Sequence, residues 1–218
     1  MTSLIPQLAD GGVVAVVTLD DAQHAERTAE ALMAGGICVI ELTLRTEAAM
    51  EALRRMCRAF PAMVIGAGTV LRTAQVIEAR DAGARFGVAP GFNPRVVAAA
   101  AEAGLPFAPG VFSPSEIEGA AEMGCRVLKY FPASAGGDPT HFQTVTTPYA
   151  HLGLRYIPLG GISLSTAGAF LAQQGVVAVG GSWIASRALI ASGAWDQIEA
   201  NARAAHELSL ATRTARMS

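Results

Sequence analysis

The stretch MAGGICVIELTLR, residues 33–45, passes from helix to strand through a pair of glycines, and its reading decides the fold. Upstream, DDAQHAERTAEALMAGG carries Ala, Glu and Arg at helical spacing and ends on glycines able to take the left-handed C-cap conformation. Downstream, ICVIELTL is a β-branched apolar run of strand length. The same cadence recurs in DAGARFGV (81–88), EAGLPFAP (102–109) and EMGCRVLK (122–129). Strand-like runs stand at VVAVVTL (13–19), ICVIELTL (37–44), MVIGAG (63–68), RFGVAP (85–90), PFAPGV (106–111), RVLKYFP (126–132), RYIPLGG (155–161) and VVAVGGS (176–182). These eight runs start roughly 20 to 29 residues apart with helical segments between them, an eightfold βα repeat.

Nearly continuous apolar strands separated by helices imply a parallel sheet covered on its outside. Eight such units in a chain of 218 residues predict a single-domain α/β protein, a closed (β/α)8 TIM barrel over residues 1–218. The alternative, a doubly wound open sheet, lacks a GxGxxG after the first strand, where TLDDAQH stands instead. A short helix over about 2–10 is expected to close the barrel floor. A last helix is expected over about 194–208, followed by a flexible tail over about 211–218.

Composition narrows the function. Charged residues are 16% of the chain, against roughly 25% in an average globular protein, so part of the surface is expected to be buried between subunits. A net charge of −2, with no basic run, excludes a nucleic-acid partner. No apolar stretch reaches about 18 residues and the N-terminus lacks a signal-peptide pattern, which predicts a cytoplasmic protein with no membrane partner. Cys38, Cys57 and Cys125 are widely spaced and outside any CxxC, as buried thiols would be. His24, His141, His151 and His206 are isolated, so no metal site is expected.

Lys129 is the only lysine in a chain that uses arginine everywhere else, and it lies in the apolar run RVLKYFP. Strand alternation puts Val127, Lys129 and Phe131 on one face, and Glu41, Thr43 and Arg45 on one face of their own strand. With the leucines outward against helices, Glu41 and Lys129 point into the barrel. A buried ion cluster that only fixes packing is the competing reading. A lysine, unlike a guanidinium, can lose its proton and attack a carbonyl to form a Schiff base, with Glu41 shuttling protons. The glycine pairs of LGGIS (159–163) and VGGSW (179–183) end the last two strands, where many barrels bind phosphate through backbone N–H groups and helix N-termini. Gly160, Gly161, Gly181 and Ser182 are the candidates. GAGT (66–69) either positions Thr69 over the mouth or relieves crowding.

The ordered motifs ELTLRTE, VIGAGTVL, APGFNP, LKYFPAS, GGIS and GGSW resemble the bacterial 2-keto-3-deoxy-6-phosphogluconate (KDPG) and 2-keto-4-hydroxyglutarate (KHG) aldolases over nearly the whole chain. The resemblance implies a homotrimer and a class I aldol cleavage, without metal or other cofactor, of a keto-acid sugar phosphate to pyruvate and an aldehyde. It implies Lys129 as the Schiff-base lysine and Glu41 as the acid and base. Arg45 and Thr69 would hold the carboxylate end, Pro90 and Phe131 would wall the pocket, and Gly160, Gly161 and Ser182 would meet the phosphate. One departure is Leu159, where the phosphogluconate enzymes usually carry Thr. The 6-phosphogalactonate aldolases carry an aliphatic residue there, but their PLN pattern stands where this chain has TLR. Two readings outside the aldolases stay open: a phosphate-binding barrel isomerase or epimerase using Glu41 as base, and a sugar-phosphate sensor without turnover.

Overall fold

The computed structural model describes residue 8 and residues 11–217. Nine strands lie among the described residues: β1 Val13–Val17, β2 Val39–Thr43, β3 Val64–Gly68, β4 Gly87–Val88, β5 Phe107–Ala108, β6 Gly110–Val111, β7 Val127–Tyr130, β8 Arg155–Pro158 and β9 Val179–Gly181. A helix stands between successive repeat units, from Ala25–Ala34 after β1 to Leu164–Leu171 after β8. The helix boundaries follow local chemistry. Pro94–Ala103 starts with proline at its first position and the Asn93 side chain accepting from Arg95 N at 3.1 Å, and it ends on Gly104 in the left-handed region. Ser113 and Glu116 form a capping box ahead of Pro114–Glu122. The glycines of the recurring cadence, Gly36, Gly83, Gly104 and Gly124, all have positive φ, as the sequence predicts.

Every strand pair is parallel, but the ladders fall into two curled sheets where the repeat predicts one closed ring. Six strands run in the order β5-β4-β3-β2-β1-β9, and three in the order β6-β7-β8. Each break falls within one of the expected runs. Pro109, without an N–H, divides the expected run 106–111 into β5, which pairs with β4, and β6, which pairs with β7. The run 176–182 divides likewise: Val176 bridges to Tyr156 of β8, whereas β9 pairs with β1. Backbone bonds cross both seams, Lys129 N to Pro109 O at 2.9 Å and Val177 N to Tyr156 O at 3.1 Å.

The sheets have two faces with separate cores. Ile40, Leu42, Leu128 and Tyr130 belong to the larger cluster under the helices. Val14, Val39, Val64, Phe86, Val127 and Ile157 share the smaller cluster, which the concave faces enclose. Of the floor-closing helix expected over about 2–10, only Leu8 lies within the described residues. It is fully buried in this inner cluster, and its carbonyl accepts from Gly12 N at 2.8 Å.

The last helix is longer than expected. Trp195–Met217 continues past 208 through the segment read as a flexible tail. ATRTARM contains neither Gly nor Pro and is mostly good helix-forming residues, so nothing local stops the helix. Tertiary packing holds it: Ser209 is buried, and Leu208 joins the larger core.

Phe86 is the largest side chain of the inner floor and is 1% exposed. Phe86→Ala is expected to cost about 3 to 5 kcal/mol through the cavity it leaves, measured as a loss of unfolding free energy in denaturant.

Candidate active site

Lys129 on β7 and Glu41 on β2 meet across the space between the two sheets, Nζ to Oε1 at 2.8 Å, with side chains 6% and 2% exposed. Their strands belong to different sheets, so no ladder hydrogen bond joins them. Strand alternation aims both side chains inward. Register then sets their height, with Glu41 opposite Val16 and Gly66, and Lys129 opposite Gly110 and Ile157. Both residues therefore sit above the apolar floor of Val14, Val39, Val64 and Val127.

Gly68 makes room for the pair. A Cβ there would overlap the Glu41 carboxylate, so the second glycine of GAGT relieves crowding, one of the two roles its sequence allows. The ring of Phe131 lies with its centroid 5.2 Å from Lys129 Nζ, within the range of a cation–π contact. In water-poor surroundings a lysine and a carboxylate at this distance can exchange one proton with almost no movement of heavy atoms. The amine then becomes a nucleophile and the carboxyl an acid.

Arg45 follows β2 at the strand mouth. It donates from Nε to Thr43 Oγ1 at 3.2 Å and from Nη2 to Thr18 Oγ1 at 2.8 Å. Thr69 follows β3 with φ at 58°, a left-handed conformation that a β-branched residue rarely adopts and that surrounding structure must hold. Its hydroxyl has no partner among the described residues. Pro90 follows β4, and its carbonyl packs directly over Gly110, the register partner of Lys129.

Gly160 and Gly161 follow β8 with φ of 93° and 74°. A Cβ on Gly160 would lie 2.7 Å from the Phe131 ring, so this loop rests on the ring beside Lys129. Ala133 N to Leu159 O at 2.8 Å and Ser134 N to Gly160 O at 2.9 Å fasten the loop after Lys129 to the glycine loop. Gly181 closes β9 and is buried, while Ser182 is exposed just beyond it. Leu159 belongs to the inner apolar cluster, 2% exposed, packed so closely on Gly180 that a Cβ there would lie 2.5 Å from its Cδ2.

Sequence reasoning missed five residues around the site. Thr18 extends the inward face of β1, after Val14 and Val16, and strand alternation could have found it. Ser134 lies against Gly161 and needed the loop fold to be seen. Behind Lys129, the outward Tyr130 hydroxyl shares a hydrogen bond with His141 Nδ1, and Phe112 stacks on the His141 ring at 4.7 Å. Burial pushes the Tyr130 phenol up to about 12, so it stays neutral in that bond.

A lone buried lysine against a carboxylate, inside a parallel α/β fold, is an arrangement that suits a carbon–carbon lyase of the aldolase class. The sequence matches the family model for KDPG and KHG aldolase over residues 4–201. It is 40% identical over 204 residues to a 2-dehydro-3-deoxy-phosphogluconate aldolase of Dickeya dadantii, covering 94% of this chain and 95% of that protein. It is 37% identical over 206 residues to the KHG/KDPG aldolase of Escherichia coli K12, covering 94% and 96% of the two chains. Among solved structures, a KDPG aldolase from Legionella pneumophila, with pyruvate captured at low pH as a covalent carbinolamine intermediate, superposes with a TM-score of 0.89 at 34% identity. That match covers 94% of this chain and 98% of the other. The chain belongs to the KDPG and KHG aldolase family.

Gly68→Ala is expected to push the Glu41 carboxylate off Lys129 and lower aldolase turnover about 100-fold, the scale of an ångström-sized misplacement. Steady-state kinetics beside circular dichroism tests this, since the fold is expected to survive.

Proposed function

We propose that this protein cleaves 2-keto-3-deoxy-6-phosphogluconate, or a related 2-keto-4-hydroxy acid, to pyruvate and an aldehyde through a Schiff base on Lys129. The aldehyde is glyceraldehyde 3-phosphate or, from hydroxyglutarate, glyoxylate. The observation that carries this reading is the buried contact between Lys129 and Glu41. The neutral amine adds to the C2 carbonyl, and the carbinolamine loses water to give the protonated imine. Glu41 supplies and removes the protons. A base then takes the proton of the C4 hydroxyl, the C3–C4 bond breaks, and its electron pair enters the iminium to leave an enamine and the free aldehyde. Protonation at C3 and hydrolysis release pyruvate and restore the amine.

In this reading Arg45 and Thr69 meet the carboxylate end, and Pro90 and Phe131 wall the reacting carbons. Gly160, Gly161, Gly181 and Ser182 take the distal phosphate. The positive-φ glycines ahead of the helix Leu164–Leu171 support that last role, because backbone N–H groups and the helix dipole favour an anion there.

The same proposal holds that the two curled sheets complete one closed (β/α)8 barrel in a single domain. Hydrogen bonds across both seams and a lysine that reaches a glutamate of the other sheet support it. It also holds that the protein is a cytoplasmic homotrimer. The charge-poor composition and exposed apolar side chains such as Leu71 (52%), Met33 (45%) and Leu164 (42%) support subunit burial. No helix among the described residues is long and apolar enough to cross a membrane.

Pyruvate with borohydride is expected to add a reduced adduct to the Lys129 peptide and abolish activity. Lys129→Arg is expected to lose at least about 1000-fold in kcat despite keeping its charge, since guanidinium cannot lose its proton to attack a carbonyl. EDTA is expected to leave turnover unchanged. An adduct confined to the N-terminal amine, or an active Lys129→Arg, rejects the Schiff base in favour of proton-abstraction chemistry by Glu41. Light scattering at micromolar concentration is expected to give three times the chain mass of 22.4 kDa, and a monomer mass rejects the trimer.

A further inference from the structure

Arg45 is held unlike the ion-paired arginines. Arg27, Arg54, Arg55, Arg80, Arg187 and Arg203 each meet a carboxylate. Arg45 meets none among the described residues and is oriented by two hydroxyls instead, Thr43 at 3.2 Å and Thr18 at 2.8 Å. Those hydroxyls also bond each other at 2.8 Å, and both residues are buried, Thr18 at 6% and Thr43 at 2% exposure. A hydroxyl fixes a guanidinium without neutralising it. The charge of Arg45 is therefore aimed but not spent.

Counting donors sharpens the picture. Each hydroxyl has one proton and two lone pairs. Both accept from Arg45 and one accepts from the other, which leaves one hydroxyl proton and the remaining guanidinium N–H groups with no acceptor among the described residues. That cluster is matched to a carboxylate, which has acceptor positions only.

The two threonines do different work. Thr43 sits two residues from Arg45 on the same chain segment and moves with it. Thr18 lies 27 residues away, just past β1, and is a fixed reference. The Thr46 hydroxyl, donating to Leu19 O at 2.5 Å, ties the same two strand ends together. We propose that Thr18 is a positioning residue, whose hydroxyl sets the plane of the Arg45 guanidinium so that its open N–H groups receive the carboxylate of the bound keto acid. This rests on the reading of Arg45 as the carboxylate-binding residue. Without the Thr18 hydroxyl the guanidinium keeps only its local contact, and binding must also order it.

The test uses borohydride trapping over a range of pyruvate concentrations, with keto-acid cleavage kinetics alongside. Wild-type protein is measured first. No adduct at Lys129 there rejects the Schiff-base reading itself, independently of Thr18. With the wild-type adduct in hand, Thr18→Val removes the hydroxyl and keeps the shape. It is expected to raise both the pyruvate concentration for half-maximal trapping and KM about tenfold, with kcat within about twofold, as for the loss of one hydrogen bond to a charged group. Thr18→Ser is expected to restore both values to within about twofold of wild type. Methyl pyruvate, which has no carboxylate, is expected to trap equally well in wild type and Thr18→Val. If Thr18→Val fails to fold, Thr18→Ala, which adds no bulk, is held to the same tenfold shift. The proposal is overturned by unchanged half-trapping, by Thr18→Ser being as impaired as Thr18→Val, or by an equal shift with the ester.

Discussion

The contact between Lys129 and Glu41 is the constraint around which the rest of the fold is arranged. Two ionisable groups sharing an interior with valines and phenylalanine are costly to desolvate, and each is tolerable because the other lies 2.8 Å away. Such a pair is a weak stabiliser compared with packed apolar side chains. Its retention in the only lysine position of the chain fits chemistry better than stability.

The requirement for a dry, rigid setting explains the layering. Below and around the pair, Val14, Val39, Val64, Phe86, Val127, Ile157 and Leu159 form one close-packed apolar cluster, with Leu8 among them. Above it, the strand ends turn polar: Thr18, Thr43, Arg45 and Thr69 on one side, and the glycine loop at 160–161 on the other. Register carries this change of character, because each step of two residues up a strand moves its inward side chain one layer higher. The apolar cluster excludes water from around the pair, while the polar rim leaves hydrogen-bonding groups open, so one inner face offers two environments.

The loops are tied to that inner face and to one another. Phe131 touches both Lys129 and Gly160, so the loop that would hold a distal anion rests on the strand that would hold the imine. On the far side of the same strand, Tyr130, His141 and Phe112 clamp the following helix, Pro139–Thr146, against the outer face. Lys129 is thus fixed from inside by a charge, from above by an aromatic ring, and from behind by the packing of its neighbours. Such over-determination suits the role proposed for Lys129, since a nucleophile must meet a carbonyl in one geometry.

The amino-acid sequence by itself determined whatever depends on neighbours along the chain. The helix and strand alternation, the glycine C-caps, the inward faces of the Glu41 and Lys129 strands and the special place of the one lysine all follow from local periodicity and residue chemistry. Six ordered motifs also carried the family resemblance. Tertiary structure alone decided what depends on curvature, register and packing between distant segments. It brought Glu41 and Lys129 together across 88 residues, gave Gly68 its role beside the carboxylate, and joined Thr18 to Arg45. It divided the hydrogen-bond ladder ahead of β9, and it packed the last helix against the core through Leu208 and Ser209. Periodicity fixes which way a side chain points from its own strand. What it meets there is set by how far the whole sheet curls.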